Sequence, residues 1–110
     1  MTTKELVNLL GLELIFDNNV DRAVENCYVG DLLSRVMGNA EPESIWITIM
    51  SNVNVAAVAA LADVSLVILA ESVEPDKELY DKILNSDTLF TKSSYSSYEL
   101  AWRIREITNI

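Results

Sequence analysis

From Val53 to Ala70 the chain reads Val-Asn-Val-Ala-Ala-Val-Ala-Ala-Leu-Ala-Asp-Val-Ser-Leu-Val-Ile-Leu-Ala. That run is close to the length needed to cross a bilayer. A span would place Asp63 in hydrocarbon, at about 2.5–3.5 kcal/mol on an insertion scale. Composition also changes at that carboxylate, from alanine-rich before it to β-branched and leucine-rich after it. A buried helix, a turn at Asp63 and a buried strand explain both facts, so no membrane contact is expected. The helix from Val55 to Ala62 is apolar on every side, so its outer face also calls for a cover.

The segments around this run extend the pattern. Ile45 to Met50 (Ile-Trp-Ile-Thr-Ile-Met) has the β-branched and aromatic content of a central strand, and Ser51-Asn52 can cap the helix after it. Pro75 suits the first turn of another helix, with Asp76 and Glu78 at its positive end and Leu79, Ile83 and Leu84 as its apolar stripe. Thr88 to Thr91 reads as a short strand. Ser96-x-x-Glu99 has the form of a capping box opening a last helix with Leu100, Ala101, Ile104 and Ile107 inward. Upstream, Thr2-x-x-Glu5 is a first capping box, and Gly11 suits the left-handed end of its helix. Glu13 to Phe16 and Val24 to Val29 read as short strands, and Gly30-Asp31 opens a helix that stops near Gly38-Asn39.

Strands apolar on both faces, alternating with helices, define an α/β fold: a small, mostly parallel sheet with helices on both faces. With 110 residues and no linker or repeat, residues 1–110 form a single domain. The mean hydropathy of +0.20 is high for so short a chain, which points to surface covered by another copy or another domain, a homo-oligomer by default.

Charge narrows the partners. Seventeen acidic and eight basic residues give a formal charge of −9, and the bases are scattered. Nucleic acid and anionic membranes are disfavoured, because both require neutralised phosphates. The chain has no histidine, the usual general base near neutral pH and the commonest zinc ligand. Cys27 is the only cysteine, so no internal disulfide forms, and it reads as a buried, inert thiol. Met1-Thr2-Thr3-Lys4-Glu5 lacks a signal-peptide core, and the expected compartment is the cytoplasm.

Only three glycines are present, and neither a P-loop nor a dinucleotide-binding turn can be written from them. Lys92-Ser93 lacks the glycines of such a loop. The acid pairs Glu41/Glu43, Glu71/Glu74 and Asp76/Glu78 read as solvated or capping groups. No catalytic set, metal site or cofactor is expected, and the chain is read as a non-enzyme. Ligands of open α/β sheets bind beyond the carboxyl ends of the strands. There the sequence offers Gly30 and Asp31, then Ser51, Asn52 and Asn54, then Ser94. These residues serve either as helix caps or as a polar pocket for a small anion or nucleotide. Tyr95, Tyr98 and Trp102 serve either as half-buried core or as an interface patch.

Several segments in order resemble stand-alone DRTGG-domain proteins: Tyr28-Val29-Gly30-Asp31-Leu32-Leu33-Ser34-Arg35-Val36-Met37-Gly38, Trp46-Ile47-Thr48-Ile49, Asn54-Val55-Ala56-Ala57-Val58-Ala59 and Ser96-x-Tyr98-Glu99-Leu100-Ala101. The namesake string is absent, since Asp21-Arg22 is followed by Ala23-Val24. The resemblance implies a fold similar to the N-terminal domain of HPr kinase/phosphorylase and to those of the MurE and MurF ligases. In that kinase phosphoryl transfer belongs to a separate P-loop domain, so no catalytic residue carries over. In regulated pyrophosphatases such domains contribute to dimer assembly. The expectation is therefore a non-catalytic regulatory or assembly module that homodimerises and acts on a protein partner. The alternative is a sensor of a small anionic or nucleotide ligand.

Overall fold

The alternation of inward and outward side chains along three apolar strands sets the architecture. In the computed structural model, which describes residues 1–110, these are β3 (Ser44–Thr48), β4 (Leu66–Leu69) and β5 (Leu89–Lys92). Ile45, Ile47, Leu66, Ile68 and Leu89 point to one face, and Trp46, Val67, Leu69 and Phe90 to the other. Both sets are buried, as the run of consecutive apolar residues requires.

Two further strands complete the sheet, β1 (Glu13–Leu14) and β2 (Asn26–Val29), in the order β1-β5-β4-β3-β2. β2 to β5 are parallel and lie side by side in chain order, with Tyr28 opposite Trp46, Trp46 opposite Val67, and Val67 opposite Phe90. β1 alone is antiparallel, pairing Glu13 with Lys92. Parallel neighbours are joined by the crossover helices α2 (Leu33–Asn39), α3 (Asn54–Leu61) and α4 (Lys77–Ile83). A strand order that never reverses, with crossovers of one hand, puts all three on one face. Their Val36, Val55, Val58, Leu79 and Ile83 accordingly pack with Trp46 and Phe90. The other face is covered by α1 (Thr3–Leu10) and α5 (Ser97–Thr108), through Leu6, Leu10, Leu100 and Ile104.

Local chemistry explains most of the boundaries. Thr2 and Glu5 form the reciprocal capping box on α1, and Gly11 ends that helix at φ 64°. Asp63 makes the turn after α3 at φ 56°, and its carboxylate meets Arg22 at 2.9 Å. The charge that interrupts the long apolar run is therefore a surface turn residue. No helix is long and apolar enough to cross a membrane.

Some expectations are corrected. Only half of the second capping box forms: Ser96 Oγ accepts from the Glu99 N–H, but the Glu99 carboxylate turns to Arg103 at 2.8 Å. Pro75 precedes the N-cap of α4, which is Asp76. Leu84 and Ile107 fall outside the buried stripes, because each follows the last core-facing turn of its helix. Asp31 opens no helix, since α2 begins at Leu33 and the carboxylate bonds elsewhere.

Candidate functional site

The carboxyl ends of the four parallel strands meet along one edge of the sheet, where the sequence placed its polar residues. Gly30 follows β2 and accepts the indole N–H of buried Trp46 at 2.9 Å. A Cβ there would lie 2.8 Å from the ring of Tyr28, so this glycine leaves room for an aromatic side chain. Asp31 Oδ1 accepts from the Thr48 hydroxyl at 2.8 Å and the Ile49 N–H at 2.9 Å, tying the end of β2 to that of β3. Ser51 donates to Asp76 Oδ1 at 3.1 Å and fixes the start of α4. Asn52 Oδ1 accepts from the Asn54 N–H at 2.9 Å in the turn before α3, whose N-cap is Val53, so the expected side-chain cap from Ser51-Asn52 is not formed. Asn54 itself is exposed beside a shallow groove between α3 and α4, with Ala57, Ala60 and Lys82.

Ser94 lies apart from these. It borders a cleft of about 480 Å³ with Gly11, Glu13, Ser72, Glu74 and Lys92. β5 stands three strand spacings from β2, about 14 Å. The six polar residues therefore share an edge without sharing a pocket. The strand order explains this, because a crevice opens where the order reverses and the parallel run from β2 to β5 has no reversal.

Sequence reasoning passed over the centre of the cleft. Lys92 Nζ lies 2.8 and 2.7 Å from the two oxygens of Glu74 and 3.0 Å from Glu13 Oε2. These carboxylates, Glu74 first, hold its ammonium above the ordinary lysine range. Glu13 is remote in sequence, so no local motif could announce the cluster. The loop after β4 completes the cleft: Glu71 and Ser72 adopt φ 59° and 61° in succession, and their N–H groups bond the carbonyls of Tyr95 and Ser93. The only lysine of the cleft is engaged by two carboxylates, so an anion entering there meets no free cation. No group of three or more His, Cys, Asp or Glu side chains is placed to share a metal ion.

The three aromatic residues separate. Tyr95 is half-buried against the core on the α1/α5 side. Tyr98 is 78% exposed and Trp102 42%, so neither is core; both lie on the outward side of α5, away from Leu100 and Ile104. Arg103 stacks over Tyr95 at 4.5 Å and Trp102 at 5.0 Å, holding the indole against the surface. On the opposite side of the molecule Leu61 is 73% exposed and stands beside exposed Ala57 and Ala60 on the outer face of α3. Cys27 is half-buried, and burial pushes its thiol up to about 11.

A scan against protein-family models returns no match, and no curated protein matches the chain.

Proposed function

We propose that the protein is a non-catalytic regulatory or assembly module that self-associates and acts through a protein partner. The observation that carries this reading is the outer face of α3. No charged residue occurs between Ser44 and Ala62, and α3 is the helix within that stretch, with Leu61 projecting from its solvent side beside a floor of alanines. Elsewhere a chain of net charge −9 opposes carboxylates to carboxylates when two copies approach. α3 itself contributes no carboxylate, and the charge that borders its groove is Lys82. A two-fold interface needs a self-complementary face, and α3 offers Leu61 as a knob and, beside it, a groove of Ala57 and Ala60 bordered by Lys82.

Tyr98 and Trp102, on the far side of the sheet, are residue types that dominate interface energetics, and they leave a second surface for the protein partner. The resemblance to stand-alone DRTGG-domain proteins supports the same role. The engaged state of Lys92 weighs against the anion-sensing alternative.

Size-exclusion chromatography with light scattering tests the proposal. The wild type runs as a dimer at micromolar concentration, Leu61→Asp runs as a monomer, and Trp102→Ala remains dimeric. A monomeric wild type overturns the reading.

A further inference from the structure

The two edges of the sheet are treated differently. β1 is two residues long, and its Glu13 is tied to Lys92. Short length and charge are the usual protections of an exposed edge. β2 closes the other edge with four residues, Asn-Cys-Tyr-Val, bonded to β3 on one side only. It contains no charge, proline or glycine to discourage pairing. Alternate backbone groups along its outer side, about 13 Å of strand, are open to another chain.

A groove of about 460 Å³ lies on this edge. It is lined by Cys27 and Tyr28 of β2, by Asn39 at the end of α2 and Glu41 just after it, and by Ile110 after α5. Glu25, just before β2, also lines it. Glu25 and Glu41 are exposed and neither is in an ion pair; the cation that touches the lining, Arg105, donates to the Ile110 carbonyl at 3.0 Å.

We infer that the β2 edge binds an extended, lysine- or arginine-bearing segment of a partner protein, which adds to the sheet as a sixth strand. The backbone of β2 supplies the pairing, as in other cases of strand addition. The carboxylates of Glu25 and Glu41 supply the preference for basic side chains. A second copy of this chain is a poorer occupant, because its own edge segment, Glu25 to Asp31, carries no basic residue to meet Glu25 and Glu41 and adds carboxylates of its own. This surface is separate from the α3 face and does not depend on it.

The test uses the full chain and two acetylated, amidated peptides, Lys-Val-Lys-Val-Lys-Val and Glu-Val-Glu-Val-Glu-Val. Binding is followed by fluorescence anisotropy and by amide hydrogen exchange. The lysine peptide binds, high salt weakens it, and the outward amides within Asn26–Val29 gain exchange protection. Glu25→Lys/Glu41→Lys, at exposed positions that leave the core intact, lowers its affinity at least about tenfold and favours the glutamate peptide. Three results overturn the inference: no binding of the lysine peptide at roughly millimolar concentration, binding without protection of β2, or equal binding of both peptides. Protection of β2 in the protein alone, rising with its concentration, overturns the choice of occupant in favour of a second copy.

Discussion

Removing the Asp31 carboxylate tests whether this residue belongs to the scaffold or to a ligand site. Its Oδ1 holds two donors of unequal exposure. The Thr48 hydroxyl belongs to a fully buried residue, so Asp31→Ala strips it of its acceptor where water has little access. A hydrogen bond to a charged group contributes about 1.5–3 kcal/mol net, and most of that is lost here. The Ile49 N–H belongs to an exposed residue and regains a water, so its loss is about 0.5 kcal/mol. The sum is about 2–3 kcal/mol. For a chain of this size that lowers Tm by roughly 10–20 °C. Asp31→Asn keeps an oxygen acceptor and loses only the charge assistance, about 1 kcal/mol. Urea unfolding followed by circular dichroism gives these values. A cycle with Thr48→Val isolates the pair and shows a coupling of about 1 kcal/mol or more. If Asp31→Ala lies within about 0.5 kcal/mol of wild type, the scaffold assignment is wrong and the carboxylate is free to serve a ligand.

Three other outcomes follow from the same geometry. The Lys4 N–H, with the hydroxyls of Thr2 and Thr3, holds the Asp21 carboxyl below its ordinary 3.8; its stabilisation is present above that value and is lost as pH falls through the depressed one. Melting curves taken down through that range therefore show a wild-type advantage over Asp21→Asn near neutrality that closes in acid. With its thiol at about 11, Cys27 is thiolate in only about one molecule in a thousand near pH 8; a disulfide reagent labels the native protein on the order of a hundred times more slowly than the unfolded chain, and comparable rates would refute the burial argument. Gly11→Ala meets no neighbouring atom but must hold φ 64°, so it costs about 1 kcal/mol in denaturant, and a neutral or stabilising result would contradict that origin.

The sheet was legible because burial on both faces leaves a continuous apolar run, as in Ile45–Ile47 and Leu66–Leu69. The first capping box and Gly11 were legible because each acts within one turn of chain. What stayed hidden depends on contacts between distant segments. Periodicity at Gly30, Asn54 and Ser94 shows that each follows a strand, but separation across the sheet comes from strand order, which no single segment encodes. Lys92 gave no signal because its partners, Glu13 and Glu74, come from an opposite edge strand and a separate loop. The outward turn of Tyr98 and Trp102 was ambiguous because an aromatic residue at helical spacing suits either side until the inward stripe, Leu100 and Ile104, is located. Glu99 failed to complete its capping box because Arg103, one turn on, offered its carboxylate an ion pair.

The pairing of β1 with β5 is also the longest-range pairing of the sheet. Each parallel contact joins residues about 20 apart along the chain, whereas Glu13 meets Lys92 across roughly 80, which adds about 1 kcal/mol of closure entropy. The β1–β5 pairing is therefore the sheet contact with the highest closure cost, whereas the start of the chain is also held locally, Thr2 bridging Ala23. Gly11 and Glu13 on that segment form one wall of the cleft beside Ser94, and Glu13 is one of the two carboxylates holding Lys92. The cleft thus depends on the longest-range pairing of the sheet. Detaching β1 from β5 would remove Glu13 from Lys92, so the integrity of the cleft reports whether β1 is docked on the sheet.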